Sequence, residues 1–126
     1  MTPVSPQRKP EDVARLVAEA RSRTSRRWVP PKDDKPITIE RVHAEFDSNL
    51  ISPEIGSIEV EPHVAGLLNI PIGSRHVWFV TKPATQRVFV DDESGQFGVA
   101  WGPVVSTGRY VDLGFRTGDP IDAYLA

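Results

Sequence analysis

Residues 89–102 read FVDDESGQFGVAWG and place three consecutive carboxylates, Asp91, Asp92 and Glu93, just before Ser94 and Gly95. Such a cluster can ligate a hard cation, share a proton in acid–base chemistry, or present negative charge to a partner. The spacing speaks against the first two. A helix-flanked calcium loop needs oxygen ligands at alternating positions, a glycine at the sixth and a glutamate at the twelfth. Here the acids are adjacent, the glycine comes fifth and the flanks alternate like strands. Acid–base catalysis by paired carboxylates needs two groups in different environments, one of them desolvated. Three acids at a turn tip are expected to be solvated and ionised alike. The same residues suit a hairpin, since Asp and Ser initiate turns and Gly95 tolerates a positive φ.

Other chemistry is equally thin. His43, His63 and His76 fall in separate segments without ligand spacing, which favours structural roles. The chain has no cysteine, so disulfides, thiolate zinc sites and a cysteine nucleophile are excluded together. No G-x-S-x-G elbow, P-loop or G-x-G-x-x-G occurs, and Ser74 in IGSRH reads as turn chemistry. The reading is of a non-enzymatic protein that needs no cofactor and no metal.

Length and composition set the frame. With 126 residues, the chain has enough material for one core. Its 39% apolar and 25% charged residues match an ordinary soluble domain. No run approaches the roughly 18 apolar residues of a membrane span. MTPVSPQRKP lacks an apolar segment after its basic residues, so a cytoplasmic location is expected rather than a secretory leader. The net charge of −2 hides an asymmetry: residues 1–36 carry nine Lys and Arg against five acids, and residues 37–126 carry six against twelve. That is a basic arm on a body of charge −6. RSRTSRRW (21–28) is the one basic cluster, but the acidic body argues against nucleic acid as a partner. An acidic contact within the chain or on a partner suits the cluster as well.

These residues must be positioned by an α+β fold. Residues 1–9 read as a disordered tail. Residues 10–36 comprise a helix with Val13, Leu16, Val17 and Ala20 on one stripe, then the Pro-rich spacer WVPPKDDKP with Trp28 as an anchor. Residues 37–126 form the α+β domain. TIERVHAEFDSNL is expected as a helix, SPEIG as a turn and SIEVE as a short strand with Ile58 and Val60 on one face. PHVAGLLNI is expected as a short helix burying Val64, Leu67 and Leu68. RHVWFVT, QRVFVD, FGVAW and RYVDLGFR follow as strands. Val77 and Phe79 face one side of the first of these, with His76, Trp78 and Val80 on the other. Val111, Leu113 and Phe115 share a face of the last. DPIDAYLA closes the chain as a helix with Asp119 as N-cap and Pro120 at the first position. Short connections predict an antiparallel four- or five-stranded meander with short helices packed on one face.

An open sheet covered on one side leaves its other face half-exposed. Aromatics there, beside acidic turns, have the composition of a protein-binding surface. The candidate contact residues are Asp91, Asp92, Glu93, Trp78, Trp101 and Asp112.

Two resemblances extend this reading. RVFVDDESGQFGVAWGP and GRYVDLGFRTGDPIDAYLA, within residues 75–126, resemble small bacterial toxin-immunity proteins of the SUKH type, with aromatic strands, an acidic turn and a closing D-P-x-x-x-x-L helix. The resemblance implies a non-catalytic protein that neutralises a cognate toxin by covering its active site, and the acidic body would steer a basic toxin domain to it. EPHVAGLLNIPIGSRHVWFV is similar to the opening of the UTRA effector-binding domain, through Ala65, Leu68, Ile70 and Gly73. That similarity implies the alternative of a small-ligand sensor.

Overall fold

The computed structural model describes residues 6–23 and 39–126. The proline-rich spacer with Trp28, the Arg26–Arg27 part of the basic cluster and the first five residues lie outside the described residues. Helix α1 (Pro10–Arg23) is followed by α2 (Ile39–Asn49), β1 (Leu50–Val60), α3 (Pro62–Leu68), β2 (Gly73–Thr81), β3 (Gln86–Asp91), β4 (Phe97–Trp101), β5 (Tyr110–Asp112) and α4 (Pro120–Leu125). The fold is α+β, and each expected helix within the described residues is present. Pro10, Pro62 and Pro120 each open a helix, where a missing N–H costs nothing. The Asp119 side chain accepts the Ile121 amide at 2.9 Å, as an N-cap should.

The sheet departs from an open meander. Strands β1 to β5 run antiparallel in sequence order, and β1 then pairs parallel with β5 through Ile58–Tyr110 and Glu59–Val111, closing a five-stranded barrel. SPEIG, expected as a turn, lies within an eleven-residue β1, whose register slips between Leu50 and Glu54. Such a bulge bends and twists a strand, and a bent first strand can reach the last one. β5 is three residues long, so Leu113 and Phe115 lie beyond it.

Closure makes two interiors from one sheet. Ile58, Val77, Phe79, Phe89 and Ala100, with Tyr110, fill the barrel. Gly56 and Gly98 make room for them: a methyl group at either position would come within 2.6 Å and 2.5 Å of the Phe79 and Phe89 rings, respectively. The outer face of β2, β3 and β4 carries Trp78, Val80, Val88, Val90, Phe97 and Val99, which pack with Val13, Val17 and Ala20 of α1, Val42 and Phe46 of α2, and Ile121 and Ala123 of α4. The alternation expected for β2 holds from Val77 to Val80, where both faces are buried, while His76, expected on the Trp78 side, is exposed. The half-exposed aromatic face of an open sheet does not exist here.

A third cluster joins Val60 to Val64 and Ala65 of α3, with Leu68 and Ile70 alongside. Of the three residues expected inside, Val64 is buried and Leu68 packs against the cluster, but Leu67 is 74% exposed, on the other side of the short helix. Gln7 and Arg8, read as part of a disordered tail, make defined hydrogen bonds to Asp92 of the barrel.

Candidate functional site

The acidic turn is the β3–β4 hairpin. Asp91 N donates to Gln96 O, Gly95 N donates to Asp91 O, and Gly95 holds φ +74°. Its three acids have three different environments. Asp91 occupies the inward position after Arg87 and Phe89 on β3, opposite Val77 on β2, and is 1% exposed. Two arginines from distant segments meet it. Arg75 Nε and Nη2 donate to its two oxygens at 2.9 and 3.1 Å, and Arg116 donates to Oδ2 through Nε and Nη2 at 3.3 Å. The Glu93 amide adds a further bond at 3.0 Å. Arg116 also forks onto Asp112, at 3.0 and 2.7 Å, and its guanidinium stacks over the Phe89 ring at 5.0 Å. Asp112 is itself fully buried. Arg75, Asp91, Arg116 and Asp112 thus form a closed network in one mouth of the barrel.

The opposite mouth holds Arg87 of β3 on the same inward face. Arg87 donates from Nε and Nη2 to Thr81 O, at 3.1 and 2.8 Å, reaches Glu54 at 3.4 Å, and lies 4.2 Å over the Phe79 ring.

Asp92 points to the outer side. Its carboxylate accepts Gln7 N at 2.7 Å, Arg8 N at 3.0 Å and the Trp78 indole Nε1 at 2.9 Å. Only Glu93 stands in solvent, with its side chain 67% exposed and 3.3 Å from Arg75 Nη2.

The expectation of three solvated acids is corrected by this geometry. Asp91, Asp92, Asp112 and Trp78 are buried and hold the structure together. Of the six candidate contact residues, Glu93 and Trp101 alone are exposed. The physical reason is alternation combined with closure. Asp91 lies on the face that becomes the barrel interior, where a carboxylate persists only if paired. Arg75, Arg87 and Arg116 were missed because nothing local distinguishes them. The available signal was two opposite charges, Arg87 and Asp91, on one otherwise apolar strand face.

Burial by itself would push the Asp91 carboxyl up. The Arg75 hydrogen bonds, the Glu93 amide and the charges of Arg75 and Arg116 together outweigh it and hold Asp91 below the usual carboxylate range. Asp92 is lowered likewise, with burial opposed by the Gln7 amide, the Trp78 indole and the Arg8 amide. Carboxyls depressed in the folded state stabilise the fold fully above their unfolded pKa of about 3.9 and lose that contribution as pH falls through the folded value. Urea midpoints are therefore expected to hold steady from neutral pH down to about 5 and to fall below about 4. Asp92→Asn should flatten that acid slope; an unchanged slope would mean that Asp92 carries no such linkage.

Trp101 sits elsewhere, at the end of β4. It is the one described aromatic in the exposed class, at 43%. It borders a cleft of about 810 Å³ between α2, α4 and the β2–β3 connection, floored by Val42, Val88 and Val99 and walled by Tyr124 and Leu125. Burial and the neighbouring Glu45 raise the Tyr124 phenol above its ordinary pKa. In register with Trp101 lie Val111 on β5 and then Glu59 on β1, where Glu59 is ion-paired to Arg109. A smaller cleft of about 360 Å³ opens beside Arg75, Asp91 and Glu93.

Among the described residues, no group of three or more His, Asp or Glu side chains is arranged to hold a metal ion, and no helix is long and apolar enough to cross a membrane. No protein-family model, curated protein or solved structure matches the chain.

Proposed function

We infer that this protein is a non-catalytic, cytoplasmic binding module for a basic protein partner, acting as an immunity protein acts when it neutralises a toxin by covering it. One observation carries the reading. Between residues 39 and 126 the fold withdraws three acids (Asp91, Asp92, Asp112) and three arginines (Arg75, Arg87, Arg116) from the surface. Nine acids then face three basic residues on the rest of residues 39–126, a surface excess of negative charge that Arg21 of α1 offsets in part by pairing with Asp47. A surface of one sign raises the rate of encounter with a partner of the other sign and rejects like-charged competitors. Exposed Trp101 supplies the apolar anchor that such a surface needs, since tryptophan is among the residues that most often dominate binding energy.

The non-catalytic part rests on how the carboxylates are used. Asp91 accepts from both arginines and from backbone, and Asp92 accepts three N–H groups. Neither is poised in a raised-pKa state to transfer a proton.

Co-expression with the product of the adjacent gene tests the proposal. A complex that restores growth supports it; no complex and no rescue would sink it. In such a complex, Trp101→Ala is expected to weaken binding by about 2 kcal/mol or more, with a far smaller loss of stability. Glu93→Gln should mainly slow association and reduce its salt dependence. Equal affinity for Trp101→Ala and the parent would remove Trp101 from the interface.

The cleft beside Trp101 favours a second reading, a small-ligand sensor, because about 810 Å³ lies in the range of small-molecule sites. A metabolite retained through purification, and lost in Trp101→Ala, would favour it over the protein-binding role.

A further inference from the structure

We propose that residues 6–23 are a releasable strap, latched to the barrel by the Asp92 carboxylate, and that its release uncovers the Trp78 face of the sheet. Among the described residues, side-chain packing and polar anchors at both ends join the strap to the body, and no strand pairing includes it. At its start, Gln7 N and Arg8 N donate to the two oxygens of Asp92, and Arg8 Nε donates to the Asp92 carbonyl at 3.0 Å. The Arg8 guanidinium lies across Gly95, where a methyl group would come within 2.7 Å of Nη2. Near its end, Arg21 forks onto Asp47 of α2, with both bonds at 3.0 Å. Between them only Val13, Val17 and Ala20 are buried. A fourteen-residue helix is marginal by itself, so its order depends on these contacts. Elements held in this way open locally at a lower free energy than a closed, cross-strand-bonded barrel.

What makes the contact a latch is that one carboxylate serves both partners. Asp92 Oδ1 accepts Arg8 N from the strap and Trp78 Nε1 from β2, while Oδ2 accepts Gln7 N. The strap thus lies directly over an indole that is 4% exposed. Its helix packs into the same cluster as Trp78 and Val90. Opening exposes an aromatic apolar face that is silent in the closed state, while the barrel keeps its own core of Ile58, Val77, Phe79, Phe89 and Ala100.

Asp92→Asn tests this in the full-length chain. The amide keeps the size of the side chain but turns one acceptor oxygen into a donor, which cannot receive both strap amides. In hydrogen exchange read by mass spectrometry, peptides covering residues 7–20 should exchange at least tenfold faster, with β2, β3 and β4 unchanged. With Trp78 as the sole tryptophan (Trp28→Phe, Trp101→Phe), the same change should raise its quenching by acrylamide. Arg8→Ala, which leaves the barrel untouched, should give the same confined pattern with smaller amplitude, and it decides the matter if Asp92→Asn does not fold. Unchanged exchange at residues 7–20, or acceleration spread equally over the strands, would overturn the proposal.

Discussion

Asp91→Asn is expected to destabilise the fold by about 3–5 kcal/mol, the range for removing one partner of a buried ion pair. The side chain is 1% exposed, and the change leaves Arg75 and Arg116 in the barrel mouth with Asp112 and the exposed Glu93 as their remaining carboxylates. Two desolvated guanidinium groups would then share less negative charge than the site was built for. Against a total stability of about 5–15 kcal/mol for a domain, that loss is large enough to bring the protein near unfolding at 37 °C. Glu93→Gln, two residues away and solvent-exposed, should change stability by no more than about 0.5 kcal/mol. Urea denaturation of the two variants separates the possibilities cleanly. If both were neutral, the hairpin would be a solvated acidic tip and the buried network would have no energetic role.

The second large effect is expected at Gly98. A methyl group there would lie 2.5 and 2.8 Å from two carbons of the Phe89 ring and 2.9 Å from Arg116 Nη1. Gly98→Ala is therefore predicted to cost about 1–3 kcal/mol by overpacking, although alanine ordinarily improves a strand over glycine. The clash predicts its own remedy. In Gly98→Ala combined with Phe89→Leu the ring is gone, and the double variant should be more stable than the sum of the single changes by about 0.5–3 kcal/mol. Additive losses would show that the Phe89 ring does not occupy the space above Gly98. Gly66 is the control: in the middle of α3, a methyl group would meet nothing within 4 Å, and Gly66→Ala should stabilise by about 0.5–1 kcal/mol.

These two sites show where reading along the chain stops being sufficient. The helix stripe of Val13, Val17 and Ala20, the prolines that open α1, α3 and α4, the Asp119 cap and the β3–β4 turn are all local features. Each depends on neighbours three or four positions away, and each could be read in advance. The strand alternation of Val77 and Phe79 against Trp78 and Val80 was legible for the same reason. Leu67 was misplaced because, over seven residues, a helical stripe is too short to show that only one of the two leucines expected inside turns inward.

The candidate contact site was legible in kind but not in assignment. Three acids at a hairpin were visible. That Asp91 would meet Arg75 and Arg116, that Asp92 would receive the amides of Gln7 and Arg8, and that Glu93 alone would remain in solvent required partners up to 85 positions away. Trp78 and Trp101 both fall in expected strands, Trp78 between Val77 and Phe79 and Trp101 at a strand end before Gly102. One lies under the strap and the other beside an open cleft.

From the sequence alone came the α+β class, the order of helices and strands, the absence of cysteine chemistry and the −6 on residues 37–126. Propensity, capping and charge count are additive along the chain, so they survive whatever the topology turns out to be. Tertiary structure decided the rest: that β1 bends round to β5, which face becomes the barrel interior, and which charges are spent inside it. Those outcomes depend on closure, a condition on all five strands at once. It converts the sidedness of one residue, Asp91, from a surface charge into a buried one.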